Sequence, residues 1–238
     1  MPFEGFSKNT IDFLVENRLQ NSRAWFNEHR GDYQRLVLEP LRALVTELTP
    51  TMLAIDPLFT VEPKVNKTIA RIYRDTRYTH DKSLYRDFMW VVFMRNKKFW
   101  AGLPGYYFSF GPDGIDWGVG YYEAPRPLME IYREMILARD AAFLMALEAY
   151  EKEDWIRLAG DRYKRPKYPE QPENIRLWLD MKNIDFEATS GDYGLLYSPA
   201  IAERLKHDFK AMAPMYDFIC AAEARRPRDG ESGPYGGR

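Results

Sequence analysis

Apolar residues at helical spacing open the chain. Phe6 to Leu19 reads as a helix with Ile11, Leu14, Val15 and Leu19 on one side. Ser7 stands where an N-cap is needed, and Phe6 stands where it can staple against Ile11. A longer run, capped by Asn21 or Ser22, carries Trp25, Phe26, His29, Tyr33, Leu36, Val37, Leu41, Leu44, Val45, Leu48 and Met52. Its three-and-four spacing is almost unbroken. Pro40 has no N–H to donate, which predicts a kink or split near Leu36–Val37. Trp25 and Phe26 fall on the apolar side and read as core.

The pattern changes after Pro57 and Pro63, which mark a loop. Thr68 to Arg74 reads as a strand, with Arg71 on the face of Ile69 and Tyr73 and Arg74 on the other. A helix is the competing reading, and it would stack Arg71, Arg74, Asp75 and Tyr78 on one side. Thr76 to Asp87 reads as a loop or a broken helical turn. Phe88 to Arg95 is apolar on both faces, which predicts a central strand. Asn96-Lys97-Lys98 follows as a turn. Tyr106–Phe110 and Ile115–Tyr121 alternate about Gly111-Pro112-Asp113-Gly114, the signature of a hairpin.

Helical spacing then returns. Pro125 and Pro127 start a run expected to continue through Tyr150, with Leu128, Ile131, Met135, Ala138, Ala142, Phe143 and Ala146 inward. Trp155–Ala159 reads as a short strand, Pro172–Leu179 as a short helix and Lys182–Glu187 as an edge strand. Ser198 and Pro199 suit the start of a last helix, with a kink expected at Pro214. Strands in the middle and helices at both ends predict an α+β fold. Its central sheet is mainly antiparallel, and long helices from the N- and C-terminal parts pack on it. No Pro-, Gly- or Ser-rich linker divides the chain. Residues 1–224 are therefore expected to form one domain, and residues 225–238, charged, glycine-rich and aperiodic, a disordered tail.

Composition narrows the function classes. The chain has 238 residues, 45% of them apolar, so it can bury a sizeable core. Net charge is −1, so no global field draws it to nucleic acid, which is an unlikely partner class on this count. One cysteine, Cys220, excludes an intrachain disulfide and fits a reducing compartment. Met1 to Gly5 do not resemble a signal peptide, and no run approaches the roughly 20 apolar residues that cross a bilayer. A soluble, cytoplasmic protein without a membrane partner is the expectation. Neither nucleotide-binding glycine loop is encoded, nor a Gly-x-Ser-x-Gly elbow. His29, His80 and His207 stand far apart and in no short metal-ligand pattern, so no metal site is expected. The sequence leaves any cofactor, and the oligomeric state, unspecified.

Chemistry concentrates in Arg71 to Arg86. Arg71, Arg74, Arg77, Lys82 and Arg86 stand against Asp75 and Asp81, with Tyr73, Tyr78 and Tyr85 between them. Arginine forks bind phosphates and carboxylates through paired hydrogen bonds, and several pointing one way make an anion site. Asp75 and Asp81 can orient those forks, or either can be a general base if burial or a like charge raises its pKa. A second basic stretch, Arg162 to Lys167 with Tyr163 and Tyr168, offers Lys164, Arg165 and Lys167 as further ligand contacts, on a loop able to close over the first. The expectation is a small phosphate- or carboxylate-bearing ligand that this cluster binds or acts on. The same residues equally make an ion-pair network that only braces a loop. Two other classes stay open: nucleic-acid binding with Tyr163 and Tyr168 as stacking platforms, and an interaction protein with Trp100 and Trp117 exposed.

The stretch Arg-x-x-Arg-Asp-x-Arg-[Phe/Tyr]-x-x-Asp-Lys-x-x-Tyr-[Lys/Arg] resembles the signature of the domain-of-unknown-function family 2461. Asn21-Ser22-Arg23-Ala24-Trp25-Phe26, Tyr33, Pro40-Leu41, Pro104-Gly105-Tyr106-Tyr107, Gly118-Val119-Gly120-Tyr121 and Lys164-Arg165-Pro166-Lys167 extend the likeness to about Ile219. The chain departs from that pattern at Leu84, where the family tends to have Pro, and at Tyr78, where Phe is usual. The resemblance marks positions and implies no activity.

Overall fold

A computed structural model describes residues 2–77, 80–95 and 103–226. The expected turn at Asn96–Lys98, Tyr78, Trp100 and the tail beyond Arg226 lie outside the described residues. The fold is α+β. Its five-stranded antiparallel sheet runs β1 (Met89–Met94), β2 (Gly105–Gly111), β3 (Gly114–Gly120), β5 (Asp185–Ser190), β4 (Arg157–Ala159) in spatial order. No helix among the described residues is long and apolar enough to cross a membrane.

The first helices follow the pattern closely. Ser7 caps α1 (Lys8–Gln20), and its N–H donates to Thr10 Oγ1 at 3.2 Å. Ser22 caps α2 (Arg23–Glu28), accepting from the Trp25 N–H. A short turn, α3 (Arg30–Asp32), leads into a π-helical turn over Tyr33–Leu38, and α4 (Glu39–Ile55) follows with Pro40 in its first turn. The run is not split: the backbone stays helical, and the expected kink site lies inside a π turn that leads directly into α4. The wider turn before it absorbs a residue whose carbonyl ladder proline cannot complete.

Five readings need correction. The long helix from Pro125 is two helices, α5 (Arg126–Leu137) and α6 (Ala141–Lys152). Arg139 adopts a left-handed backbone (φ 54°) and Asp140 caps α6 through the Ala142 N–H at 3.0 Å. Ala138 is accordingly exposed. The strand expected at the edge near Lys182–Glu187 is β5, inside the sheet between β3 and β4, where Phe186 pairs with Leu158. The strand expected to be central, β1, ends the strand order; Met89, Val91 and Phe93 are fully buried whereas Val92 is only partly so. Thr68–Arg74 is extended but is no full strand. It touches β1 through one bridge, Ile69 to Val91, and shields the free edge there. The expected kink at Pro214 is a break: α9 (Ala200–Ala211) ends and α10 (Ala213–Ala224) begins with Pro214 in its first turn. Tyr193–Leu196 forms a short α8 after β5, and α7 (Glu173–Leu179) starts at Pro172.

The chain divides into two compact units. The first comprises residues up to Phe93, Tyr107–Trp117 and Thr189–Asp208. Its core holds Leu14, Val37, Leu41, Leu44, Val91, Phe108 and Phe110, all without solvent exposure, and Phe6 rests on Phe110 with ring centroids 4.3 Å apart. Trp117 is buried here and donates its indole N–H to Asp208 at 2.9 Å; the same carboxylate takes Arg204 Nε at 2.6 Å and His207 Nδ1 at 2.9 Å. The second unit comprises Met94–Tyr106, Gly118–Ala188 and the residues from Phe209. Its core is aromatic: Tyr132 lies 4.7 Å from Phe218 and Trp178 5.1 Å from Phe186. Gly120 is required there because a Cβ would overlap the Ile184 carbonyl oxygen. The expected tail began at Arg225, but Arg225 pairs with Asp140 at 2.6 Å and Arg226 with Glu223 at 3.0 Å.

Candidate functional site

The Arg71–Arg86 stretch forms a narrow antiparallel ribbon in the first unit. Tyr73 and Tyr85 are bridged; Arg74 N–H donates to Leu84 O and Arg86 N–H to Ile72 O, each at 2.9 Å. At the base, Ala70 N–H donates to Trp90 O and Val92 N–H to Thr68 O. Extended backbone alternates the Cβ directions of Arg71 and Arg74, but both long side chains bring their charges close enough to act on Arg86. Leu84 N–H donates to Asn21 Oδ1 at 2.7 Å. A proline at 84 would lack this donor, so Leu84 lets Asn21 grip the turn.

One half of the charged groups is a brace. Asp81 accepts from Arg18 Nη2 at 2.7 Å, from Ser83 N–H at 2.9 Å and from the Ser83 hydroxyl, and it pairs with Arg74 Nη2 at 3.3 Å. The Ser83 hydroxyl and N–H, then Arg18, hold its carboxyl far below the ordinary range. Arg18 also reaches Asp87 through Nε at 3.4 Å and the Tyr85 carbonyl at 3.1 Å, which ties α1 to the ribbon. Asp75 is gripped by Arg77, through Nε at 3.0 Å, Nη2 at 2.7 Å and the N–H at 3.2 Å, and its carboxyl is likewise held far down; Arg71 stands 3.9 Å away. Carboxylates held this low are weak bases at neutral pH. Lys82 donates to the Thr76 carbonyl at 2.7 Å and closes the loop.

The other half is short of acceptors. Arg86 Nη1 donates to the Arg71 carbonyl at 2.8 Å and to the Tyr73 carbonyl, and its guanidinium lies 4.7 Å over Trp90. It has no ion-pair partner among the described residues. Burial lowers its pKa, and the charges of Arg71 and then Arg74 lower it further, with Asp75 offsetting them only in part. Arg74 Nε is buried without a hydrogen-bond partner.

Tyr85 is not a surface contact. It is fully buried, stacked on Phe26 at 5.0 Å and beside Tyr73 at 5.1 Å, and burial pushes its hydroxyl up to about 12. The neighbouring Tyr73 phenol raises it further, and the buried Asn17 amide of α1 has no hydrogen-bond partner.

The second basic stretch belongs to the other unit, where Lys164 and Arg165 are exposed. Tyr163 is its centre: Lys167 Nζ lies 4.5 Å over the ring and the buried Arg133 guanidinium 5.4 Å. Arg133 donates to the Leu179, Met129 and Met181 carbonyls and to Glu130, and Lys167 also approaches Glu130 at 3.8 Å. This loop is therefore pinned by a buried arginine. Trp117 offers no exposed patch, being 1% accessible.

Sequence reasoning missed Arg18 and the contact that Asn21 makes. Each reaches the ribbon across 63 residues, so no local spacing reveals them. The one signal was a cation in the last turn of α1, which the helix dipole alone explains.

No curated protein and no solved structure matches the chain. One family model does, described as a conserved hypothetical protein (DUF2461), over residues 9–218. That span includes the ribbon, its α1 tether and the second basic loop, and on it the chain belongs to the DUF2461 family.

Proposed function

We propose that the ribbon binds a small phosphate- or carboxylate-bearing molecule through Arg71, Arg74 and Arg86. The carrying observation is Arg86, half-buried near two other guanidinium groups and with no ion-pair partner among the described residues. Gathering cations this way costs stability unless an anion joins them, and buried unsatisfied donors such as Arg74 Nε call for a partner. Arg77, Lys82, Asp75 and Asp81 position these groups; the low carboxyl pKa values favour holding arginines over taking protons. The competing reading, a purely structural network, is supported by the Asp81 half, where Arg18 and Ser83 satisfy the carboxylate.

The two halves are separable by experiment. Thermal shift with inorganic phosphate, sulfate and small di- and tricarboxylates, at low and high salt, should show stabilisation that survives screening. Arg86→Gln should keep the parent melting temperature and lose that shift. Arg18→Gln should melt lower. A parent indifferent to every anion, with Arg86→Gln strongly destabilised, would leave only the brace.

A further inference from the structure

A groove of about 580 Å³ opens beside the turn between β2 and β3 in the first unit. Asp87 and Phe88 line it from the ribbon's end, Ser109 from β2, Asp116 from β3, and Thr189 and Ser190 from the end of β5. None of the lining residues is a cation. Hydroxyls and carboxyls face this space instead, which is the opposite chemistry to the arginine cluster. Asp116 is half-buried and hydrogen-bonded to Ser109, and burial raises its carboxyl above the usual range. Phe88 is 37% exposed, an aromatic face at the edge of a polar groove.

The groove is adjacent to the cations. The Phe88 ring stacks on Trp90 at 5.5 Å, and Trp90 carries the Arg86 guanidinium at 4.7 Å. One indole therefore separates Arg86 from the groove. Asp87, which lines the groove, is also held by Arg18 at 3.4 Å.

Resting on the anion-site reading above, we infer that the ligand is a phosphorylated polyhydroxy compound, by class a sugar phosphate. Its phosphate sits on Arg86, Arg71 and Arg74, and its hydroxylated body crosses Trp90 and Phe88 into the groove. Vicinal hydroxyls donate to carboxylates and accept from serine and threonine hydroxyls, and the C–H face of a sugar ring covers an aromatic side chain. The charge arrangement fixes the direction of binding. The arginines attract the phosphate, and the carboxyl-lined groove rejects it while accepting neutral hydroxyls.

The test is calorimetric titration of the full chain with inorganic phosphate, glycerol 3-phosphate, ribose 5-phosphate and glucose 6-phosphate. At least one sugar phosphate should bind about tenfold or more tighter than inorganic phosphate. Asp116→Asn and Ser109→Ala should each erase that preference and leave phosphate affinity unchanged, whereas Arg86→Gln should abolish both. Asparagine can keep the Ser109 hydrogen bond, so Asp116→Asn is expected to fold; Phe88→Leu provides a second, uncharged perturbation with the same expected loss. Equal affinity for phosphate and every sugar phosphate would overturn this inference and leave the anion site standing. No binding of any anion would overturn the anion site itself, and this inference with it.

Discussion

Asp208 offers the sharpest stability test, because it anchors the strand beneath the groove. It has no solvent exposure, and it joins Trp117 of β3 to Arg204 and His207 of α9. Asp208→Asn conserves shape, but its NH₂ must face one of three donors. Breaking a fully buried pair costs about 3–5 kcal/mol, because a charge is left uncompensated. Here Arg204 is 40% exposed and His207 70%, so water takes over much of what the carboxylate gave them. Trp117 is 1% exposed and its N–H has no such rescue, which alone costs about 1–3 kcal/mol. Together these give a loss of roughly 2–4 kcal/mol, or about 5–15 °C in melting temperature for a chain of this size. Urea unfolding followed by circular dichroism, with tryptophan fluorescence as a second probe, measures it. A midpoint unchanged within error would refute the reasoning, by showing that Trp117 and Arg204 find other partners or that α9 does not hold β3.

Three further outcomes are expected. Val91→Asp should abolish soluble expression, since Val91 is fully buried and the substitution would bury a charge; a folded, soluble variant would overturn the placement of β1. Tyr85 should ionise late in ultraviolet difference titration. Its folded pKa of about 12 lies above the unfolded value near 10, so its contribution is intact below about pH 10 and fades as pH rises towards 12; Tyr85→Phe should remove that step. Asp75 and Asp81 have the opposite sign: their depressed carboxyls stabilise the fold above the ordinary range near pH 4, and that contribution drains as pH falls through it and below. Urea midpoints measured from pH 6 downward should fall less steeply in the Asp75→Asn/Asp81→Asn double variant, and equal slopes would show that neither carboxylate is depressed.

The fold was legible wherever a local cause dominates. Ser7, Ser22, Pro40 and the Gly111–Gly114 turn act within a few residues, and each punctuates the chain where its chemistry requires. Legibility failed where the cause is distant or where two local signals compete. The apolar stripe from Leu128 to Ala146 runs on through Arg139 and Asp140, and only the cap hydrogen bond shows that Asp140 starts a new helix. An apolar stretch such as Phe88–Met94 looks central from composition, yet β1 ends the strand order because Thr68–Ala70 and helices bury it instead of two neighbouring strands. The cluster was visible as a list of charges but not as a division of labour. Arg77 and Arg86 look equivalent in sequence, each an arginine near an aspartate. Arg77 closes on Asp75 two residues away and stays 73% exposed, whereas Arg86 is turned inward by the Arg71 and Tyr73 carbonyls and Trp90. Backbone acceptors hold a guanidinium in place without cancelling its charge, while a carboxylate does both. That difference makes Arg86, and not the more conspicuous Arg77, the residue on which the proposed anion site depends.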